Sequence, residues 1–240
     1  IVHLVAPEAR ILPIRVLDDE GRGTTFALAK GIRHAVEMGA DVINMSLGLT
    51  DRSGIVSHEL AAARLQSAAM VSAAGNLGVE NVLYFPASDS RVLMVAALDS
   101  CDVKAEFSNY HRKVSVSAPG VGILGPYYDG GYAIGAGTSF ATPFITGQCA
   151  LIRSLVPGIE WMTIYDQVYE GIEDIYSLPG NLPYLGRLGT GRFDALETLL
   201  TTIEPSDVSR DVDLLAALRL APNPVPAGSQ ARISWNLPRA

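Results

Sequence analysis

Asp41-Val42-Ile43-Asn44-Met45-Ser46-Leu47-Gly48 is an apolar, partly β-branched run that closes on a glycine, and its reading decides the fold. Residues 41–47 predict a strand. Upstream, Leu28, Ile32, Ala35 and Val36 recur at three- and four-residue spacing, so one apolar stripe marks a helix, with Gly39 placed for a left-handed stop. Thr24 or Thr25 offers that helix an N-cap oxygen. Before it lies a second branched run, residues 11–17, which predicts another strand and is broken by Gly21 and Gly23. Downstream the cycle repeats: a loop around Ser53 and Gly54, a helix over residues 59–67, and a small-residue strand over 69–74 that ends in Gly75-Asn76. Strands alternating with helices imply parallel pairing and right-handed crossovers, hence an α/β chain with three layers and a mostly parallel twisted sheet.

Further strands are expected at residues 92–98 and 114–118. A long helix follows at about 139–155, with Pro143 expected in its first turn, where a missing N–H is harmless. Trp161, Ile164, Tyr165 and Val168 mark another helix and residues 193–200 a short last one. The α/β unit is expected to span residues 1–203. A polar linker over 204–219 then leads to Pro222-Asn223-Pro224 and to the alternation of Ala231, Ile233, Trp235 and Leu237, which predicts a half-buried strand.

The 240 residues are ample for one sizeable core, and 48 % hydrophobic against 18 % charged residues excludes a disordered chain. A net charge of −7 with no Lys/Arg block argues against a nucleic-acid partner. The longest uncharged run, residues 130–152, has five glycines, a proline and several hydroxyl residues, so no transmembrane segment is expected. Cys101 and Cys149 have neither metal-ligand spacing nor a disulfide framework; either fits a small buried apolar residue, and a disulfide between them is the alternative. No metal site is expected. The chain opens at Ile1 with no signal-like segment and reads as a cut end.

In open parallel sheets ligands gather beyond the carboxyl ends of the strands. Three such ends pair small residues with open backbone: Gly21-Arg22-Gly23, Ser46-Leu47-Gly48, and Ala73-Ala74-Gly75-Asn76. Turn chemistry alone would account for any one of them. Gly137-Thr138-Ser139-Phe140 then places a hydroxyl at a helix start after a glycine turn. Such a serine could be an N-cap, or a nucleophile whose own amide, at the positive end of the helix, helps to hold an oxyanion. The four histidines, His3, His34, His58 and His111, all precede Ser139, so the Ser-Asp-His order of an α/β-hydrolase or lipase-like esterase is absent.

Taken in order, Val5-Ala6-Pro7, Val42 to Gly48, Ala73-Ala74-Gly75-Asn76, Phe107-Ser108-Asn109-Tyr110, Ala118-Pro119-Gly120, Gly137-Thr138-Ser139 and a closing Gly189-Thr190-Gly191-Arg192 resemble the subtilisin-like serine proteases. The resemblance spans roughly residues 4–200. It implies a serine endopeptidase acting on polypeptides, with Ser139 as nucleophile and the Asn76 carboxamide joining the Ser139 N–H as oxyanion donor. It also implies that Gly21, Arg22 and Gly23 face Ser46, Leu47 and Gly48 across an extended substrate, that Ala73, Ala74 and Gly75 wall a specificity pocket, and that Thr138 belongs to the binding surface. It makes Phe85-Pro86 a cis bond. No cofactor is needed for such chemistry, although calcium commonly stabilises relatives; no ligand can be named for it.

Two departures leave the chemistry alone: Phe144 replaces a common histidine, and Ala68 falls where a helix-ending glycine is usual. A third does not. The family's triad aspartate and histidine lie upstream of the Val-Ala-Pro segment, where this chain has only four residues, so the fragment alone is expected to be inactive or nearly so. The alternative is a pseudopeptidase that binds extended peptides or serves as a scaffold. Residues 220–240 look like the start of an Ig-like or sorting β-sandwich domain, which implies a secreted, extracellular protein.

Overall fold

A computed structural model of the chain describes residues 1–127 and 130–202. In chain order the first elements are α1 (Val2–Val5), α2 (Thr25–Glu37), β1 (Val42–Met45), α3 (Gly54–Leu65), β2 (Ala69–Ala73), β3 (Leu93–Leu98) and β4 (Val116–Pro119). They are followed by the hairpin β5 (Ile123–Pro126) and β6 (Tyr132–Gly135), then α4 (Thr138–Leu155), α5 (Trp161–Glu170), β7 (Ile172–Glu173), β8 (Arg192–Phe193) and α6 (Ala195–Thr202). The main sheet has the order β1-β2-β3-β4-β8-β7, parallel throughout except for the β7/β8 pair. The expected α/β architecture is therefore present.

Period-two alternation splits each central strand between two cores. Ala69 and Val71 of β2, with Leu93, Val95 and Ala97 of β3, pack with Ile145, Cys149 and Ile152 of α4 and Ile164 and Val168 of α5. Met70 points the other way, into a core with Leu28 and Ile32 of α2 and Val56 and Leu60 of α3. Every residue of β2 and β3 is buried, as parallel strands covered on both faces must be. Helix starts and stops follow local chemistry: Thr24 Oγ1 accepts from the Ala27 N–H at 3.1 Å, Ser53 caps α3, and Gly39 takes φ 71°.

Several expectations are corrected. Residues 11–17 have no ladder partner among the described residues; Ile14 and Val16 instead lie on α2, so close that a Cβ on Gly31 would come within 2.5 Å of Val16 Cγ1. Branched residues fit a strand, but only a neighbour with matching free groups makes one. The second helix starts earlier than residue 59, and the left-handed residue at its end is Ser67, φ 55°, not Ala68. Phe193 belongs to β8 rather than to the last helix. Pro143 sits in the second turn of α4, not the first. Both cysteines are free; Cys149 is buried as expected, whereas Cys101 is exposed. Phe85-Pro86 is cis. The linker and β-domain readings over 204–240, and the exact end of the α/β unit at 203, lie outside the described residues.

Candidate active site

The carboxyl ends of β1 and β2 emerge side by side, with Met45 opposite Ser72, so Ser46-Leu47-Gly48 and Ala74-Gly75-Asn76 leave the sheet together. The amino end of α4 rises against them. Gly137, φ 151°, turns the chain into that helix through backbone torsions that a side chain disfavours. Ser139 is the second residue of the helix and does not cap it. The cap comes from another strand: Asn76 Oδ1 accepts the Thr138 N–H at 2.8 Å and the Thr138 hydroxyl at 2.9 Å. Since a backbone N–H can only donate, that contact fixes which way the carboxamide is turned.

The consequence is chemical. With its oxygen held twice, Asn76 presents Nδ2 outward, 3.4 Å from where a Cβ on Gly137 would lie. Neither Asn76 Nδ2 nor the Ser139 N–H takes a hydrogen-bond partner among the described residues. Both groups thus stand at the positive, amino end of an 18-residue helix that also carries Ser139. The Ser139 hydroxyl donates to the Ser46 carbonyl at 3.3 Å, and the Ser46 hydroxyl donates to the Ser139 carbonyl at 3.0 Å. Thr138, fully buried, also accepts the Gly75 N–H at 3.1 Å, which ties helix and strand end into one unit.

The loop that carries Asn76 is clamped by Asn109 of the Phe107-Ser108-Asn109-Tyr110 stretch. Asn109 is buried; its Oδ1 accepts from the Leu77 and Val79 N–H groups at 2.9 and 3.3 Å. Its Nδ2 donates to the Ala74 carbonyl at 3.1 Å, and its own N–H to the Gly75 carbonyl at 2.9 Å. Asn76 is therefore bracketed on both sides. Behind Asn109, the buried Lys104 ammonium donates to the carbonyls of Ala105, Glu106 and Ser108 and stands over the rings of Tyr110 and Tyr184. Burial lowers its pKa below the ordinary lysine value. Gly75, φ 105°, and Gly48 both lie against Tyr84, too close for a Cβ on either.

The other expected residues are placed as follows. Gly21, Arg22 and Gly23 form an exposed turn closed on Asp18, whose carboxylate accepts the Arg22 N–H at 2.8 Å. Among the described residues no hydrogen bond joins that turn to Ser46, Asn76 or Ser139. Ala73 and Ala74 are buried, while Gly75 and Leu47 are half-exposed. The histidines are occupied elsewhere: His3 Nε2 lies 2.8 Å from the Ala9 carbonyl, His34 and His58 are on the outer faces of α2 and α3, and His111 accepts from the Lys113 N–H.

Known sequences and structures match this chain. The profile of the subtilase family, peptidase S8, matches residues 1–174. The chain belongs to the subtilase family. This subtilase is 42 % identical over 155 residues to a thermostable alkaline protease of Halalkalibacterium halodurans, covering 64 % of the chain and 42 % of that protein. Thermitase of Thermoactinomyces vulgaris is 41 % identical over 149 residues, 62 % of the chain and 53 % of thermitase. A protease structure from Pseudoalteromonas arctica superimposes with a TM-score of 0.75 at 29 % identity, covering 83 % of this chain and 65 % of that one. The chain thus spans about half the length of the curated relatives it matches. Among the described residues no helix is long and apolar enough to cross a membrane.

Proposed function

We propose that the whole protein carrying this chain is a serine endopeptidase of subtilisin type that hydrolyses polypeptides outside the cell through an acyl-enzyme on Ser139. The observation that carries the reading is the double anchoring of Asn76 Oδ1 by Thr138 at the start of the helix that carries Ser139, with Asn76 Nδ2 and the Ser139 N–H unpaired among the described residues. In this reading Ser139 Oγ attacks the scissile carbonyl, and the two donors receive the negative charge as it forms on the carbonyl oxygen. The backbone of residues 46–48 and 73–75 aligns an extended substrate by main-chain hydrogen bonds, with Gly21, Arg22 and Gly23 closing over the far side when it is bound.

A general base must take the Ser139 proton, and among the described residues no histidine is hydrogen-bonded to Ser139. We assign that role, and the orienting aspartate, to residues outside this chain. The chain alone would then retain at most the ~10³–10⁴-fold acceleration over water that an oxyanion hole and binding give without a triad. No cofactor enters the chemistry; calcium, if bound, would be structural.

Labelling of the whole protein with a fluorophosphonate, wild type against Ser139→Ala, tests the reading. Label on wild type and none on the variant supports it. Equal labelling removes Ser139 from the mechanism, and no labelling of either favours a peptide-binding pseudopeptidase.

A further inference from the structure

The carbonyl of Ser139 has lost its ordinary partner. In a continuous α-helix it accepts the N–H of residue 143, but that residue is Pro143, which has none. The Ser46 hydroxyl donates to it instead, at 3.0 Å, from the end of β1. That hydroxyl is itself aimed. Asn44 Nδ2 donates to Ser46 Oγ at 3.0 Å, and Asn44 Oδ1 accepts from the Thr146 hydroxyl at 2.8 Å. Thr146 is on α4 too, so the path through Thr146, Asn44, Ser46 and Ser139 leaves the helix and returns to it.

We infer that Ser46 is a positioning residue for the nucleophile, its hydroxyl replacing the helical N–H that Pro143 removes; this rests on Ser139 being the nucleophile. A regular helix would bind the Ser139 carbonyl to its own next turn and leave the nucleophile tied to α4 alone. Pro143 vacates that acceptor, and the strand end takes it. The peptide plane between Ser139 and Phe140 is then held by β1, and with it the torsion that sets where the Ser139 Cα carries its hydroxyl. Ser46 also offers its carbonyl 3.3 Å from Ser139 Oγ, so one residue fixes both the nucleophile and the backbone proposed to align the substrate. A small misplacement of a nucleophile lowers turnover more than binding.

Steady-state kinetics of the whole protein on a peptide substrate, for Ser46→Ala, Pro143→Ala and the double variant, test this with Ser139→Ala as control. Ser46→Ala is expected to lower kcat about fivefold to tenfold with KM little changed, the loss of one hydrogen bond to a constrained acceptor. Pro143→Ala alone should stay within about twofold of wild type, and the double variant should regain most of kcat, because replacing the proline by alanine restores the N–H. If Ser46→Ala accumulates poorly, Ser46→Thr against Ser46→Val compares one shape with and without the hydroxyl, and Thr alone should be active. Wild-type kcat in Ser46→Ala or Ser46→Val, or a double variant no faster than Ser46→Ala, overturns the inference. Full activity in Ser139→Ala would instead overturn the nucleophile assignment beneath it; an inactive Ser139→Ala beside an unaffected Ser46→Ala removes only Ser46.

Discussion

The two halves of α4 are built on different principles. Its first half is held by hydrogen bonds made one at a time: Thr138 to Asn76 and Gly75, Ser139 to Ser46, Thr142 to the Thr138 carbonyl, Thr146 to Asn44. Its second half is held by shape, with Cys149 and Ile152 fully buried against the sheet and α5. Both halves carry a potential nucleophile. Cys149 is intrinsically the better one, yet burial pushes its thiol up to about 12, whereas Ser139 is half-exposed. Environment, more than the identity of the atom, decides which end of the helix can do chemistry.

If the polar half works as an electrostatic device, removing one donor should damage turnover without unfolding the protein. Asn76→Ala in the whole protein should lower kcat by about 10²–10³-fold, the loss that removal of one such donor causes in a subtilisin, with KM little changed. Steady-state kinetics decide it, and a loss confined to KM would mean that Asn76 binds substrate and does not stabilise the oxyanion. In the apolar half the same truncation should strike stability. Ile152→Ala leaves a cavity and should cost about 2–5 kcal/mol in urea unfolding, while the folded fraction keeps its kcat.

A smaller effect sharpens the boundary between the halves. Tyr165 of α5 accepts the Met70 N–H at 2.9 Å, and its hydroxyl lies 2.8 Å from the Met70 carbonyl and 2.9 Å from that of Arg91; burial raises its phenol well above the ordinary value. Tyr165→Phe should lose about 1–3 kcal/mol of stability, because a buried donor is left unmet, with no change in kcat. At the smallest scale, iodoacetamide at pH 8 should modify the exposed Cys101 and spare Cys149, which is fully buried and whose thiol pKa burial raises. Mass spectrometry of the folded protein, with Cys149 labelled only after denaturation, is the expected pattern.

Much of the fold was legible because it is written locally. The branched run into Gly48, the stripe from Leu28 to Val36, the Thr24 cap and the Gly39 stop each follow from one stretch of chain. Residues 11–17 misled because a strand needs a neighbour, which no single stretch supplies. At the site, Ser139 and Asn76 were found through motifs. Their arrangement was not: that Asn76 caps α4 in place of Ser139, that Asn109 clamps the Asn76 loop, and that Ser46 replaces the N–H missing at Pro143 are contacts across 62, 32 and 93 positions of sequence. Serine at a helix start fits a cap and a nucleophile equally well until the other side of the pair is seen.

Ser139 and Asn76 serving a single carbonyl is best examined by the crystal structure of the whole protein with a peptide boronate. The expected result is a covalent bond from Ser139 Oγ to boron, with one boronate oxygen about 2.7–3.1 Å from both Asn76 Nδ2 and the Ser139 nitrogen. A boronate bound to another residue, or an adduct on Ser139 whose oxygens all point away from Asn76, would contradict it.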